Sequence, residues 1–300
     1  MNVVVAGGTG FIGSSLLPLL RLGGHEVVVL TRNPERAPLT PGVRRVRWDG
    51  VTQGEWTVHV QGADAVINLA GESIGGGRWT ASRKERIVAS RVNATRAILE
   101  SIRRGEKKPS LFISSSAVGY YGPVESGDVT EDHPPGSGFL ADVCLRWEQE
   151  ASAVGELGVR VVILRTGVVV GEKGGALEKM LLPFRLFAGG PVGSGRQWFP
   201  WVHRDDVAGV ILFALGNAAL AGPVNVAAPE SVDMQSFCSA LGVALSRPSW
   251  LPVPAMALRA VLGEMADMIL TGQRVVPAKL LALGYRFRYP ALAAALASVV

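Results

Sequence analysis

The sequence predicts an α/β protein with a Rossmann-type, doubly wound parallel sheet and a smaller, mainly helical C-terminal substrate lobe. Through the first two-thirds of the chain, short runs rich in Val, Ile and Leu alternate with amphipathic helical stretches. Such runs are typical of parallel strands buried on both faces, and their alternation with helices indicates a doubly wound sheet. A glycine-rich segment directly follows the first run and opens the first helix, as in dinucleotide-binding folds.

The strands are predicted from their β-branched content, and the helices from apolar residues that recur at helical spacing. The predicted strands are Asn2–Ala6, Glu26–Thr31, Val43–Trp48, Ala63–Leu69, Leu111–Ser115, Val159–Arg165 and Pro223–Ala227. The predicted helices are Phe11–Leu22, Thr80–Arg103, Leu140–Val154, Leu177–Phe187 and Val207–Leu215. Beyond about Ala176 only Pro223–Ala227 still has the composition of a strand. We therefore expect a nucleotide-binding Rossmann domain over residues 1–225, with residues 175–200 contributing to the substrate lobe, and a mainly helical domain over residues 226–300.

The composition excludes several classes of protein. Of the 300 residues, 48% are hydrophobic and 18% are charged, which argues against disorder. No apolar run is long enough to cross a bilayer, and the N-terminal segment lacks the basic start of a signal peptide, so we expect a cytoplasmic protein without a membrane partner. The net charge is +5, but the arginines are dispersed and the basic stretch Arg83–Arg86 is typical of a solvated helix face, so nucleic acid is not an expected partner.

The cysteines and histidines suggest neither disulfides nor a metal. Cys144 and Cys238 are interpreted as core residues, because nothing indicates a secreted disulfide scaffold. The four histidines lack the spacing of metal ligands with Cys or carboxylate partners. One of them, His203, is interpreted as a buried, hydrogen-bonded side chain. We expect the partner to be a small-molecule substrate. The sequence allows a homodimer.

The glycine-rich segment after the first strand reads GGTGFIG over Gly7–Gly13. Early glycines permit a tight turn, a residue without Cβ lets a pyrophosphate approach the backbone, and the last glycine allows close helix–strand packing. The helix N-terminus then presents N–H groups and a partial positive charge to the phosphates. The flanking strand and helix favour this function over a purely structural turn. The predicted cofactor contacts in this segment are Gly7, Thr9, Gly10, Phe11, Ile12 and Gly13.

The end of the second strand distinguishes NAD from NADP. An NAD site has an Asp or Glu there for the adenine ribose, whereas this chain continues with Thr31 and Arg32. A guanidinium is suited to the 2′-phosphate of NADP. We therefore predict NADP(H) as the cofactor, held by Thr31, Arg32 and, one helical turn further on, Arg36. The alternative is that both arginines are solvent-facing loop residues.

Small residues follow the fourth strand in the segment Asn68–Glu72, which reads NLAGE. Their size lets the backbone pass close to a cofactor at the carboxyl end of the sheet. Asn93, on the next helix, is predicted to satisfy backbone groups beneath the site. Arg165, which ends the sixth strand, is a further predicted contact and a source of positive charge. The contacts predicted after the fourth strand are Leu69, Ala70, Gly71 and Glu72.

Several motifs occur in a fixed order along the chain. They are GGTGFIG at Gly7–Gly13, NLAG at Asn68–Gly71, SSSA at Ser114–Ala117 with YYG at Tyr120–Gly122, and WVHRDDVA at Trp201–Ala208. Over about the first 225 residues the chain resembles the extended (atypical) short-chain dehydrogenase/reductase superfamily, in its NAD(P)-dependent sugar-nucleotide epimerase branch. With Arg78–Thr80, Ser90–Asn93 and the tail segments Gly272–Val275 and Pro277–Leu281, the whole chain resembles the "epimerase family protein" subgroup with a C-terminal domain of unknown function.

The resemblance implies a catalytic Tyr, a Lys four residues later that lowers its pKa and binds the nicotinamide ribose, and a Ser or Thr that holds the substrate oxygen. This chain departs from that pattern. None of its four tyrosines is followed by Lys at this spacing, and the helix Phe139–Glu148 contains neither residue. The remaining catalytic candidates are Ser115, Ser116, Tyr120 and Tyr121, with positive charge from Lys84, Arg91 or Arg165.

Each of these candidates also has a structural interpretation. The tyrosines could anchor a loop, the serines could hydrogen-bond a turn, and Lys84 could lie on a helix surface. The leading hypothesis is an NADP(H)-dependent oxidoreductase or epimerase that acts on a small hydroxy or carbonyl substrate, which a nucleotide could carry. The alternative is a non-catalytic NADP(H)-binding sensor or assembly protein, which the missing Tyr-x-x-x-Lys pair favours.

Overall fold

The structure is a computed structural model that describes residues 1–35 and 40–300, so the predicted contact Arg36 lies outside the described residues. The strands are β1 (Asn2–Ala6), β2 (Glu26–Thr31), β3 (Val43–Arg47), β4 (Ala65–Asn68), β5 (Leu111–Ala117), β6 (Asp128–Val129), β7 (Arg160–Thr166), β8 (Val168–Val170), β9 (Trp201–His203), β10 (Gly222–Val226) and β11 (Arg274–Val275). The α-helices are α1 (Phe11–Leu22), α2 (Thr57–Gln61), α3 (Ala81–Arg104), α4 (Phe139–Ser152), α5 (Gly175–Arg185), α6 (Arg204–Gly216), α7 (Met234–Leu245), α8 (Ala255–Leu262), α9 (Asp267–Leu270), α10 (Ala278–Ala282) and α11 (Leu292–Ala297).

Seven strands form one sheet in the order β10-β7-β5-β4-β1-β2-β3, and every neighbouring pair is parallel. The chain runs from β1 outward through β2 and β3, and then returns to the other side of β1 to form β4. A parallel sheet binds its ligand outside the carboxyl ends of the strands at such a reversal of strand order. The predicted fold class is confirmed, and each predicted strand and helix is present with bounds that differ by up to three residues.

The two faces of the sheet carry separate apolar cores, because successive side chains of a strand point to opposite faces. On one face Val5 of β1 packs with Leu16 of α1 and Val207 of α6. On the other face Ala6 of β1 packs with Ile98 of α3. Burial on both faces explains why the strands are almost continuously hydrophobic.

A third core joins the segments that follow β7. Its members come from β9, α5, α7 and α11, and they include Trp201, Phe184, Phe237 and Leu296. Residues of α5 and β9 therefore pack with the C-terminal helices. The chain also returns to the main sheet, since Leu280 of α10 is buried in the core around α1 and α6. Residues from each of the two predicted domains therefore pack in a core with residues of the other.

Two small parallel sheets were not predicted. β8 pairs with β9, and β11 pairs with β6. The prediction that Pro223–Ala227 is the one strand beyond residue 176 is therefore wrong, because β9 and β11 also lie there. These strands have three and two residues, too few to show an alternating or continuous apolar pattern.

No helix in the described part of the chain has both the length and the apolar character needed to span a membrane. Within residues 1–35 and 40–300 there is also no group of three or more His, Cys, Asp or Glu side chains that could hold a metal ion.

Candidate cofactor and active site

The glycine turn joins β1 to α1 at the carboxyl edge of the sheet. Gly7 has φ +73°, a left-handed conformation that favours glycine, and a Cβ there would lie 2.8 Å from the backbone of Leu69 and Ala70. At Gly13 a Cβ would overlap the carbonyl oxygen of Gly8. These two glycines therefore allow α1 and the segment after β4 to approach the turn closely.

Gly10 differs from its neighbours because it is exposed at the start of α1. Its backbone is extended, and the nearest atom to an added Cβ would be the carbonyl oxygen of Gly7 at 3.3 Å. No described side chain caps the helix N-terminus. The turn thus leaves an open surface of backbone N–H groups at the positive end of a helix, which fits a pyrophosphate.

The other predicted contacts of the turn lie in different surroundings. Thr9 is exposed, and Ile12 packs on the core beneath the turn. The Phe11 ring lies against the end of the loop that leads into α5, where a Cβ on Gly174 or on Gly175, the first residue of α5, would approach the ring to 3.0 and 2.8 Å. The structure therefore brings this loop over the glycine turn.

β2 ends at Thr31, as the sequence predicts, and Arg32 follows it as an exposed residue. A cavity of about 130 Å³ opens beside the turn, and Thr9, Val29 and Arg45 are among the residues that line it. Arg45, which is opposite Val29 in the register of β2 and β3, was not predicted as a contact. Its position within a strand gave no functional signal.

The segment after β4 is held by hydrogen bonds to its own turn and to α3. The Asn68 side chain accepts a hydrogen bond from the Ala70 backbone N–H at 3.1 Å and donates one to Thr95 Oγ1 at 3.0 Å. The Glu72 backbone N–H donates to Ser90 Oγ at 3.0 Å. Gly71 is exposed. The backbone of residues 69–71 therefore lies at the carboxyl edge beside the glycine turn, where the prediction puts it.

Asn93 does not have the predicted role. It is half-buried on α3, and its side chain forms no hydrogen bond with any residue of the described chain. The buried polar residues beneath the site include Asn68 and Thr95, and the indole N–H of Trp147 also donates to Thr95 Oγ1, at 3.1 Å. No local pattern in the sequence points to Thr95 or Trp147, because their hydrogen-bond partners are distant in the chain.

Tyr121 is removed from the catalytic candidates by its surroundings. The side chain is 1% exposed, and its hydroxyl donates to Asn225 Oδ1 at 2.6 Å and accepts from Arg165 Nη1 at 3.0 Å. Burial raises the pKa of Tyr121 to about 12, although the bonds to Arg165 and Asn225 act in the opposite direction. A phenol that is engaged in this way joins β5, β7 and β10 instead of serving a substrate.

Arg165, a predicted cofactor contact, has its guanidinium engaged within the protein. It is 4% exposed and forms a bidentate ion pair with Glu148, with Nε and Nη2 at 3.0 and 2.8 Å from the carboxylate oxygens. Its Nη1 also donates to the Glu131 carbonyl oxygen at 3.0 Å. Burial by itself would lower the pKa of Arg165, but the bonds to Glu148 and Tyr121 raise it.

The two candidate serines of β5 point to opposite faces of the sheet. Ser116 is buried and donates to Glu148 Oε1 at 2.6 Å, so its hydroxyl belongs to the network of Arg165. Ser115 is half-buried, and its hydroxyl has no hydrogen-bond partner among the residues described.

Tyr120 is the tyrosine that remains available. Its ring is half-buried and lies on the Arg165 guanidinium, with 3.5 Å between Cζ and the ring centre. The Tyr120 hydroxyl forms no hydrogen bond within residues 1–35 and 40–300. Lys84 does not serve these residues: it forms an ion pair with Glu264, and its ammonium lies 5.1 Å from the centre of the Phe139 ring.

The first turns of α4, which lie against the segment just after β5, present Leu140 and Cys144. A Cβ on Gly119 would lie 3.2 Å from Leu140 Cβ and 3.9 Å from Cys144 Sγ. Leu140 and Cys144 have the spacing of the missing Tyr-x-x-x-Lys pair. Burial raises the pKa of Cys144 to about 11, so this side chain is a neutral thiol.

The motif WVHRDDVA holds the C-terminal segment against α6. His203 is buried, its Nδ1 accepts from the Asp205 backbone N–H at 3.1 Å, and its ring packs at a tilt of 45° against Tyr289 with 4.0 Å between ring centres. The Asp206 carboxylate accepts backbone hydrogen bonds from Arg288 and Tyr289 at 2.6 and 3.0 Å. The interpretation of His203 as a buried, hydrogen-bonded side chain is confirmed.

Comparison with known proteins adds a family context to this geometry. A family model described as "NAD dependent epimerase/dehydratase family" matches residues 3–227, and one described as "Domain of unknown function" matches residues 253–299. An epimerase family protein of Bacillus subtilis is 41% identical over 303 residues, which cover 100% of this chain and 98% of that protein.

Two solved structures are similar along essentially the whole chain. The structure of a human epimerase family protein with NADPH has a TM-score of 0.89 and 38% identity, and the match covers 100% of this chain and 99% of that one. A nucleoside-diphosphate sugar epimerase from Corynebacterium glutamicum has a TM-score of 0.77 and 33% identity, and the match covers 99% of this chain and 57% of that one. The ligand of the human protein is the reduced form of the cofactor that the sequence predicts here.

Proposed function

The chain belongs to the NAD dependent epimerase/dehydratase family, and from this membership we propose that it is an NADP(H)-dependent oxidoreductase or epimerase. The observation that carries the proposal is the glycine turn, where Gly7 and Gly13 admit close backbone packing and Gly10 stays open above the N-terminus of α1. Arg32 at the end of β2 supplies a cation where NAD-specific sites have a carboxylate.

When bound, NADP(H) supplies or accepts the hydride, and the protein positions the substrate and moves a proton. Among the residues proposed for catalysis, Ser115 and Tyr120 keep hydroxyls without partners in the described chain. Both lie at or just beyond the carboxyl end of β5. In the proposed reaction the Tyr120 phenol exchanges the proton with the substrate oxygen, and the Ser115 hydroxyl, on the face of β5 opposite Ser116, is a second free hydroxyl near the same strand end.

The Arg165 guanidinium on the face of the Tyr120 ring supports this assignment. A cation over an aromatic face is attracted by the ring, and its attraction grows when the hydroxyl loses its proton. Because Glu148 already pairs with Arg165, the support is weaker than that of an unpaired lysine. We therefore expect a slower proton transfer than in enzymes that have the Tyr-x-x-x-Lys pair.

The proposed substrate is a small hydroxy or carbonyl compound, with a nucleotide-linked form as the first to test. This choice rests on the Corynebacterium glutamicum relative, whose name states a nucleoside-diphosphate sugar. The second candidate function is a non-catalytic NADP(H)-binding protein. Leu140 and Cys144 on the α4 face favour it, because neither side chain exchanges a proton readily near neutral pH.

The test is turnover with a panel of nucleotide sugars and small carbonyl compounds, followed through the absorbance of the reduced nicotinamide and the epimeric composition of the product. We expect turnover in the wild-type chain and its loss in Tyr120→Phe, with NADPH affinity unchanged. Tight NADPH binding without turnover for any compound would support the non-catalytic function instead.

A further inference from the structure

Arg91 is a buried cation at the edge of the proposed cofactor site. It lies on α3, its side chain is 7% exposed, and its guanidinium packs on Gly71, where an added Cβ would be 3.2 Å from Cζ. Gly71 is itself exposed at the carboxyl edge, just beyond β4. The lack of a side chain at Gly71 therefore leaves only backbone between the guanidinium and the site.

The charge of Arg91 is not neutralised by a direct ion pair. Its Nη1 donates to the Ile87 carbonyl oxygen and its Nη2 to the Glu72 carbonyl oxygen, both at 3.0 Å. No carboxylate of the described chain forms an ion pair with it, since the Glu72 side chain pairs with Arg83 and Arg86 at 3.8 and 3.5 Å. Burial lowers the pKa of Arg91 from its usual value, but an arginine remains charged at neutral pH.

The other two cations that the sequence offers are already paired. Lys84 pairs with Glu264, and Arg165 pairs with Glu148. A buried guanidinium that is paired only with neutral carbonyls is costly to the fold unless a further partner is present at some stage. Of the three candidate cations, Arg91 is thus the one whose positive charge is not paired with a carboxylate and can bind an anionic ligand.

The strand order identifies which half of a dinucleotide would lie there. The glycine turn follows β1, and Arg32 at the end of β2 is on one side of it. β4 and β5 lie on the other side of β1, and Arg91 stands between Gly71 after β4 and α4, with its Cζ 5.2 Å from the centre of the Trp147 ring. If the adenosine half extends toward Arg32, the nicotinamide half extends toward Arg91.

Cys144 provides the second part of the argument. It occupies the position of the missing lysine on the α4 face, and it lies near enough to Arg91 that the guanidinium acts to lower the pKa of the thiol, against the larger effect of burial. We propose that Arg91 binds the ribose-phosphate of the nicotinamide half and thereby replaces, from α3, the cation that is absent from α4. This inference rests on the proposed function, because it requires the dinucleotide at the glycine turn.

The test separates the two halves of the cofactor. Calorimetry measures the affinity of NADPH and of 2′,5′-ADP, which carries only the adenosine half, for the wild type, Arg91→Gln and Arg91→Lys. Arg91→Gln should weaken NADPH binding by about tenfold, the loss expected for one charge-assisted contact, and leave 2′,5′-ADP affinity unchanged. Arg91→Lys should show the same selective loss to a smaller extent, and it serves as the test if Arg91→Gln does not fold.

The matched control is Arg96→Gln on the same helix, an exposed arginine paired with Glu150, which should leave both affinities unchanged. Equal losses for NADPH and 2′,5′-ADP in the Arg91 variants would show a structural role and overturn the inference, as would no loss of NADPH affinity. A wild-type chain that binds neither ligand overturns the proposed cofactor, and this inference with it. If the wild type binds both ligands, failure in the variants leaves the proposed function standing.

Discussion

The Arg165 guanidinium lies on the face of Tyr120 at 3.5 Å and also donates a hydrogen bond to the hydroxyl of Tyr121 at 3.0 Å. One cation therefore contacts two adjacent tyrosines in different ways. It supports the ring of Tyr120 and leaves that hydroxyl without a partner in the described chain, whereas it engages the hydroxyl of Tyr121 within the core. This difference makes Tyr120 the proposed acid–base group and Tyr121 a residue that stabilises the fold.

The two tyrosines should respond differently to removal of the hydroxyl. Tyr121→Phe leaves Asn225 Oδ1 and one Arg165 N–H without their partner in a buried site, so we expect a loss of about 1–3 kcal/mol in the free energy of unfolding. Tyr120→Phe removes no hydrogen bond and should change that free energy by less than about 0.5 kcal/mol. Chemical denaturation of both variants checks the prediction, and equal losses would contradict the assignment of separate roles.

The choice between the two nicotinamide cofactors should depend on Arg32. Because one charge-assisted contact to the 2′-phosphate contributes roughly 1.5–3 kcal/mol, we expect the wild type to prefer NADPH over NADH by at least about tenfold. Arg32→Ala should remove most of this preference without weakening NADH. Calorimetry with both cofactors measures this preference. The control is Arg44→Ala, which changes an exposed arginine on the face of β3 opposite to Arg45. Equal wild-type affinities for the two cofactors would show that Arg32 does not select NADP.

Two glycines of the turn should separate cofactor binding from folding. Gly10→Val is compatible with the extended backbone and meets no close neighbour except the Gly7 carbonyl oxygen at 3.3 Å, so the fold should persist while NADPH binding is lost. Gly13→Ala places a Cβ on the Gly8 carbonyl, so this variant should unfold at a lower temperature although Ala favours helices by about 1 kcal/mol over Gly. Thermal unfolding and NADPH titration of both variants test the pair. Wild-type affinity in Gly10→Val would mean that the phosphates bind elsewhere.

His203 should make the stability of the fold sensitive to mild acid. Burial lowers its pKa below the ordinary 6.5, with Arg204 and Arg288 acting in the same direction and Asp205 in the opposite one. The neutral ring therefore contributes stability that is complete above pH 6.5 and is lost as the pH falls from there toward the folded pKa. Protonation would also remove the Nδ1 acceptor from the start of α6.

The variant His203→Asn keeps a capping oxygen at the start of α6 but cannot titrate. We expect the midpoint temperature of thermal unfolding of the wild type to decrease when the pH is lowered from about 7.5 to about 5.5. The same change of pH should lower the midpoint temperature of His203→Asn by less. His25 and His59, whose pKa values are also lowered, remain in both proteins and serve as an internal control. A parallel decline in the two proteins would assign the pH dependence to those residues.

Local patterns in the sequence were sufficient to predict the sheet, the glycine turn and the expected cofactor. Strands buried on both faces are nearly continuous in Val, Ile and Leu, and the turn needs glycine at set positions, so a local stretch of sequence carries each signal. β6, β8, β9 and β11 were not predicted, because a strand of two or three residues shows no periodicity.

Which side chains of the candidate site remain available depends instead on long-range contacts in the folded chain. Tyr121 bonds to Asn225, which lies 104 residues away in the chain. Glu148 engages both Arg165 and Ser116, from which it is separated by 17 and 32 residues. No local pattern reveals that a hydroxyl or guanidinium is already engaged by a residue so distant. Ser115, Tyr120 and Arg91 stay in the proposed site because folding engages the hydrogen-bonding groups of their neighbours and leaves two hydroxyls and one unpaired positive charge at the carboxyl edge of the sheet.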